Sequence, residues 1–441
     1  MKKTQTYFGL LTYLLLSINV YALDLKEAYE LAYKNDATTN AARARANSDR
    51  EALPQAKAQL MPNISFTYNK SRIEQQRSID GVDQPKQNFP SMSQSLSIRQ
   101  PIFRANLFAN YVSANAEVEN AEAVLTKNLQ DMATRVTEAY LNTLLAQDRL
   151  NLVTVQKDLY SKQYDSALKA FKAGFGVKTD IDAYRASIDR IIASEISVQQ
   201  QIDYSKQQLE YYISQPVRDV ASFNPEFFRS DQFVIGQLED WISLANQSNN
   251  ELKALKANID IAEAQIKVKF SGHLPTLDLV AQYTKSESES MFFVGQEINS
   301  RSVGLQLNVP IFAGGYNNSL VREAQAKLEE AQFKYQETNN RVLMDIKRNY
   351  NALKEGVAQI YAIEQSLKSD EQLVVSNKKG VIAGTRTVLD VLNSENQKFD
   401  TMLKLAQARY GFLQSWVALN ALAGQANIEL ITEVNRNFKS N

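Results

Sequence analysis

Gly384-Thr385-Arg386-Thr387-Val388-Leu389-Asp390-Val391-Leu392-Asn393 is a glycine break between two very long helical patterns. Before it, helix-type sequence runs back almost to Pro310; after it, another helical pattern runs to Gly424. A turn that joins helices of this length is the end of a rod, not an ordinary loop. Gly174-Phe175-Gly176-Val177-Lys178-Thr179-Asp180, 210 residues earlier, divides two long helical patterns in the same way. In both stretches a glycine is followed six positions later by an aspartate. The chain therefore carries two helical hairpins with related tips.

Working outward, the whole chain repeats. Leu25, Ala28, Leu31 and Ala32 correspond to Leu238, Trp241, Leu244 and Ala245, and Pro62-Asn63-Ile64 to Pro275-Thr276-Leu277, at an offset of 213. Pro101-Ile102-Phe103 matches Pro310-Ile311-Phe312 at 209. Each unit reads helix, strand, loop, strand, long helix, tip, long helix. The first repeat spans 23–213, with strands at about 62–70 and 93–100 and long helices at about 105–173 and 180–213. A connector at 214–233 leads to the second repeat at 234–424. Its strands fall at about 276–284 and 301–309 and its long helices at about 315–380 and 387–423. Residues 425–441 form a tail.

The strands alternate strictly. Ile64, Phe66 and Tyr68 oppose Ser65, Thr67 and Asn69; Leu96 and Ile98 oppose Ser95, Ser97 and Arg99. Leu277, Leu279, Ala281 and Tyr283 oppose Thr276, Asp278 and Gln282, and Val303, Leu305, Leu307 and Val309 oppose Ser302, Gly304, Gln306 and Asn308. In a soluble sandwich such an apolar face meets a core; in a barrel it meets lipid while the polar face lines water. Polar stretches Ser71–Ser91 and Ser286–Asn299 read as long loops. Four strands cannot close a barrel, and open edges in lipid are prohibitive, so several chains would have to combine.

The helices have coiled-coil period. Leu389, Leu392, Phe399, Leu403, Ala406, Tyr410, Leu413 and Val417 form one ladder, with Asn396 out of character. Ile181, Tyr184, Ile188, Ile191, Val198 and Ile202 form another, with Glu195 the exception. A helix from Ala105 to Ala173 would reach about 100 Å, far beyond a bilayer and suited to a gap between two membranes.

Composition narrows the function. Lys+Arg and Asp+Glu are both 49, so no net field draws the chain to nucleic acid or to acidic lipid. There is no cysteine and one histidine, which excludes disulfides, thiol chemistry and zinc clusters. His273 precedes a strand beside Pro275 and marks a helix–strand junction. Residues 1–22 read as a secretory signal: Lys2 and Lys3, an apolar run from Phe8 to Ile18, and Val20-Tyr21-Ala22 before the cut. No phosphate-binding loop and no acid–base pair or nucleophile stands at useful spacing, which argues against an enzyme.

Duplicated units of this order behind a signal peptide resemble the TolC-like outer-membrane efflux protein family. The resemblance rests on Leu60-Met61-Pro62 and Leu274-Pro275-Thr276-Leu277 entering the first strands, and on Val309-Pro310-Ile311-Phe312-Ala313-Gly314-Gly315 leaving the last. It also rests on Gly384 to Leu392, Ala408-Arg409-Tyr410 and Leu422-Ala423-Gly424. The absence of a cysteine for lipid attachment is closer to unlipidated members.

The resemblance implies a mainly α fold with a β-barrel portion. It implies a homotrimer whose twelve-stranded barrel sits in the outer membrane of a Gram-negative bacterium, surrounded by lipid. A twelve-helix tunnel would cross the periplasm and close at its tips. No cofactor or metal is implied. The partners would be a periplasmic adaptor and an inner-membrane transporter of RND, ABC or MFS type, and the chain would be the exit duct of an efflux pump or type I secretion system. The alternative is a periplasmic or surface coiled-coil scaffold with soluble sheets.

At the tips, Arg386 matches a family arginine that ties neighbouring hairpins together, with Thr179 and Asp180 as partners. A side chain on a threefold axis appears three times, so Asp390 would form a ring of carboxylates that attracts cations. A plain helix-capping role for Asp390 stays open. The family's second acidic ring position is Asn393 here, and a family tyrosine on the preceding helix is Val381. Lys178, next to Asp180 in the turn, is a candidate substitute for that restraint. Gly174 and Gly384 fall where the family meets the adaptor, and each also permits a turn.

Overall fold

The computed structural model describes residues 22–290 and 293–439. The expected signal segment therefore lies outside the described residues except for Ala22. Ten helices and six strands follow in order among the described residues. Helices α1 (Leu25–Asn35), α2 (Ala37–Arg50) and α3 (Ala52–Gln59) lead into strand β1 (Asn63–Gln75). A small hairpin of β2 (Ser78–Ile79) and β3 (Val82–Asp83) leads to β4 (Gln87–Phe103), then α4 (Ala105–Lys172) and α5 (Lys178–Ile213). The second half gives α6 (Leu238–Ser248), α7 (Asn250–Phe270), β5 (Thr276–Ser290), β6 (Phe293–Asn308), α8 (Tyr316–Ile382) and α9 (Val388–Leu422). Helix α10 (Ile428–Asn435) closes the chain.

The opening helix of each unit, a single element in the sequence pattern, is broken. Asp36 ends α1, and its carboxylate accepts from the Thr39 amide at 3.0 Å and the Thr39 hydroxyl at 2.6 Å. Asn249, at the repeat offset, does the same between α6 and α7, accepting from the Leu252 amide at 3.0 Å. A short polar side chain that satisfies the first amides of a new helix lets the axis turn at low cost. The turned pieces α1 and α6 join α10 and the 214–237 connector in a collar around the long helices. Its core includes Leu25, Met132, Tyr140, Leu209, Ile213, Ile346, Leu413, Trp416 and Ile431. Phe412 meets Phe228 and Phe233, and Phe233 meets Trp416, edge to face there, while Phe228 lies tilted against Phe223 and Phe233, with ring centroids 5.2–6.2 Å apart.

The two longest helices set the scale. Helix α4 has 68 residues and α8 has 67, each about 100 Å at 1.5 Å per residue. Toward the strands α4 packs on α2, α3 and α7, and α8 on α7; toward the tips α4 packs on α5 and α9, and α8 on α9.

The sheet is antiparallel in the order β1-β4-β5-β6. Register builds rows across it: Ile64–Ile98–Ala281–Val303 is followed on the same face by Phe66–Leu96–Tyr283–Arg301. The opposite face carries Ser65–Ser97–Gln282–Ser302 and Thr67–Ser95–Thr284–Ser300. Pro101 sits in inner strand β4, which has no place for a missing N–H; the register shifts there, between Pro101 and Phe103. The strands exceed the expected spans. Much of Ser71–Ser91 and Ser286–Asn299 is ladder and not loop, because pairing continues after the apolar alternation ends, through Lys70, Arg72 and Glu74.

The sheet is fixed to the helices by Arg104, the residue before α4. Its guanidinium grips Asp278 of β5 through both carboxylate oxygens, at 2.8 and 2.5 Å. Asp278 is only 3% exposed. Arg104→Ala would strip that carboxylate of its two charged hydrogen bonds, at a cost of about 1–3 kcal/mol. We expect a lower denaturation midpoint for Arg104→Ala in detergent and substantial recovery in the Arg104→Ala, Asp278→Ala double variant.

Candidate functional site at the helical tips

Both tips end their long helix in the same way. The Phe175 amide donates back to Ala170 O at 3.0 Å and the Thr385 amide to Gly380 O at 2.9 Å. Gly174 and Gly384 take φ of +81° and +71°, the left-handed closure that favours glycine. A Cβ built on either glycine meets nothing within 4 Å, so the requirement is the turn conformation.

The tips differ in one exchange. At the first, Ala170 faces Gly176, and a Cβ on Gly176 would lie 2.8 Å from Phe171 N. At the second, the corresponding pair is Gly380 and Arg386, and a Cβ on Gly380 would lie 2.6 Å from Arg386 Cγ. Each tip keeps one glycine at the close approach, on opposite sides. The second placement makes room for the arginine side chain, which crosses Gly380 and stays exposed.

The aspartates also differ. Asp390 Oδ2 accepts from the Thr387 amide at 2.8 Å and the Thr387 hydroxyl at 2.8 Å, and the Asp390 amide donates to Thr387 Oγ1 at 3.2 Å. This reciprocal box starts α9. The Thr387 amide and hydroxyl hold the Asp390 carboxyl below its ordinary range, because both bonds favour the charged form. Oδ1 takes no part in the box. Asp180 stands at the equivalent place on α5, but the cap residue there is Val177, which has no hydroxyl. Among the described residues its carboxylate has no hydrogen-bond partner, and partial burial pushes its pKa up. Thr179 and Asn393 are exposed. Within one chain Arg386 makes no ion pair or hydrogen bond with Thr179 or Asp180, and Lys178 makes none with Asp180, among the described residues. Val381 is half-buried and offers no hydrogen bond from its side chain.

A polar cluster above the tips escaped sequence reasoning. Glu395 of α9, 2% exposed, forms an ion pair with Lys378 of α8 at 2.8 Å and accepts from Gln163 of α4 at 3.0 Å. Asn396 accepts from Tyr160 at 3.0 Å and Gln156 at 2.6 Å. Burial pushes the Tyr160 hydroxyl up to about 12. Glu195, the other ladder exception, holds Lys157 at 2.6 and 2.7 Å. The bonds from Gln163, Tyr160 and Gln156 join the two hairpins of one chain, whereas Lys378–Glu395 and Lys157–Glu195 each brace one hairpin. The misfit of Asn396 and Glu195 on apolar ladders was the visible signal; Glu395 lies beside the ladder and gave none.

No helix among the described residues is long and apolar enough to cross a membrane, and the strands instead carry an exposed apolar face and a polar one. Such a sheet, continued by helical hairpins of about 100 Å, defines a channel of the outer-membrane type with a periplasmic extension. The comparisons agree. Residues 28–214 and 241–425 match the family described as outer membrane efflux protein, and the chain belongs to that family. It is 29% identical over 98% of its length to alkaline protease secretion protein AprF of Pseudomonas aeruginosa, covering 91% of that protein. It is 26% identical to outer membrane protein TolC of Vibrio cholerae, with 96% of each chain covered. The solved outer membrane protein VceC of Vibrio cholerae shares the fold at TM-score 0.78 and 18% identity, over 91% of this chain and 97% of that one. The Campylobacter jejuni CmeC channel does so at 0.79 and 16%, over 94% and 90%. The protein is thus an outer-membrane efflux channel and not an enzyme.

The box gives a pH prediction. A depressed folded pKa means its stabilisation is full above the ordinary aspartate value and is lost as pH falls through the lower one. Exchange of the Thr387 amide, corrected for intrinsic rate, should quicken only below about pH 4. Asp390→Ala should quicken it throughout; quickening already near neutral pH in the wild type would contradict the assignment.

Proposed function

We propose that three copies form the duct, each giving four strands to a twelve-stranded barrel and two hairpins to a twelve-helix tunnel. The observation that carries this reading is the sheet: β1 and β6 each pair on one side only, and unpaired edges have no partner in hydrocarbon. With four alternating strands per chain, β6 of one copy meets β1 of the next in antiparallel sense, so any number of copies closes without mismatch. Every such number gives an even strand count, as such barrels have, and the family fold favours three.

On this reading the tips face the inner membrane and form the gate. Arg386 of one copy reaches Thr179 and Asp180 of its neighbour, and the partnerless carboxylate of Asp180 is the group suited to receive a guanidinium fork. Asp390 keeps Oδ2 in its cap and turns Oδ1 to the axis, one oxygen from each copy, with Asn393 a neutral turn deeper. Gly174 and Gly384, with Phe175 at 92% exposure and Ile382 at 88% beside them, form the surface that receives a periplasmic adaptor. An inner-membrane transporter supplies the energy. Relatives named for protease secretion, AprF and the PrtF protein of Dickeya chrysanthemi at 27% identity, favour a type I system with a protein cargo and an ABC transporter.

Planar-bilayer recording tests the gate. Arg386→Ser should raise single-channel conductance, and unchanged conductance would remove Arg386 from the latch. Trivalent cations added from the tip side should block the wild type and fail to block Asp390→Ala. Equal block of both would place Asp390 off the axis.

A further inference from the structure

The outward face of the sheet changes character partway up. From Phe103 to Gln94, β4 climbs about 30 Å along its length, or about 21 Å when tilted by 45°. Over that height the outward rows are apolar except at Gln100, which pairs with Leu279: Leu277 with Leu307, Leu279 with Leu305, then Ile64, Ile98, Ala281 and Val303, then Phe66 and Leu96. Tyr283 and Tyr68 end the band, as aromatic residues do where hydrocarbon meets headgroups. The strands nevertheless continue. At and above the tyrosines the same face bears Arg301, Lys285, Lys70, Arg72 and Glu74, with Glu287 and Glu297. This end lies opposite the helices, so it belongs to the outward leaflet.

Part of this charge is satisfied internally. Lys285 lies 3.0 Å from Glu287 and 3.1 Å from Glu297, and Lys86 lies 3.2 Å from Glu74. Three cations have no carboxylate partner among the described residues. Arg72 donates Nε to Asn88 at 2.6 Å, which leaves its terminal nitrogens outward. Arg301 lies over the Tyr283 ring at 5.6 Å. Lys70 is exposed beside Tyr68. All three stand on the edge strands, Lys70 and Arg72 on β1 and Arg301 on β6, and none on β4 or β5.

We infer that Lys70, Arg72 and Arg301 bind phosphate-bearing headgroups of the outward leaflet at each junction between copies. The inference rests on the proposed closure of β6 onto β1 of the next copy, which brings the two edges into one basic cluster. Arginine forks match phosphate oxygens, and the height, level with Tyr283 for Arg301 and one and two steps above Tyr68 for Lys70 and Arg72, is that of the headgroups. The overshoot of the strands then has a role: a polar wall standing in a thick anionic layer.

The test is native mass spectrometry of the detergent-extracted protein with diphosphoryl lipid A, its dephosphorylated form, or inorganic phosphate. The wild type should retain diphosphoryl lipid A in up to one copy per junction. The Lys70→Gln, Arg72→Gln, Arg301→Gln variant, at unchanged oligomeric mass, should bind it roughly tenfold more weakly or worse. The dephosphorylated lipid should be retained by neither. Equal retention of both lipids by the wild type, unchanged binding by the variant, or capture of free phosphate in preference to lipid would overturn the inference. A wild type that is monomeric would instead overturn the assembly on which it rests, and the oligomeric mass in the same spectrum separates the two failures.

Discussion

Hydrocarbon offers no hydrogen bond, and a β-strand edge presents one unpaired donor or acceptor after another. That constraint acts on every other feature of this chain. The strands β1, β4, β5 and β6 satisfy each other inside one sheet and leave two edges. Their apolar rows have no core to enter, because the helices continue the strands end to end and do not cover them. Arg104 and Asp278 hold that end-to-end join, so the barrel wall and the tunnel wall are one surface. A soluble scaffold would have covered the apolar face of Ile64, Phe66, Val303 and Leu305 with a second layer, and the described residues place none on that face.

At the other end the constraint is mechanical. Two hairpins of equal design stand side by side, but the second carries an arginine and the first a glycine at the matching place. Moving the glycine from turn to helix, from Gly176 to Gly380, is what lets the second tip hold a long cation across its own backbone. The same comparison separates the aspartates. Thr387 saturates one oxygen of Asp390, while Val177 leaves Asp180 without a partner. Inside one chain Glu395, through Gln163, and Asn396, through Tyr160 and Gln156, bind the hairpins to one another.

Much of this was legible before folding. Scarce glycine and coiled-coil period outline the long helices, and strict alternation identifies the strands because their two faces meet different media. The upper halves of the strands were not legible: Lys70, Arg72 and Glu74 alternate with Asn69, Ser71, Ile73 and Gln75, so polar residues occupy both faces and a single Ile73 leaves no sustained period-two signal. The breaks at Asp36 and Asn249 share the repeat offset, but a capping side chain is read only once the helix it starts is known to turn. Tip residues were legible as a motif, whereas the passage of Arg386 over Gly380 is a contact between backbone and side chain that spacing does not reveal. Glu395 was invisible because α9 is flanked on two sides, which buries positions beside the ladder as well as on it.

The most direct measurement is residue-resolved amide hydrogen exchange on the detergent-extracted protein, comparing the edge strands β1 and β6 with the inner strands β4 and β5. If copies close the sheet, the outward-directed amides of β1 and β6 exchange as slowly as those of the inner strands. Fast exchange along both edges beside slow exchange in β4 and β5 would mean that the edges are open, and would contradict the closed duct.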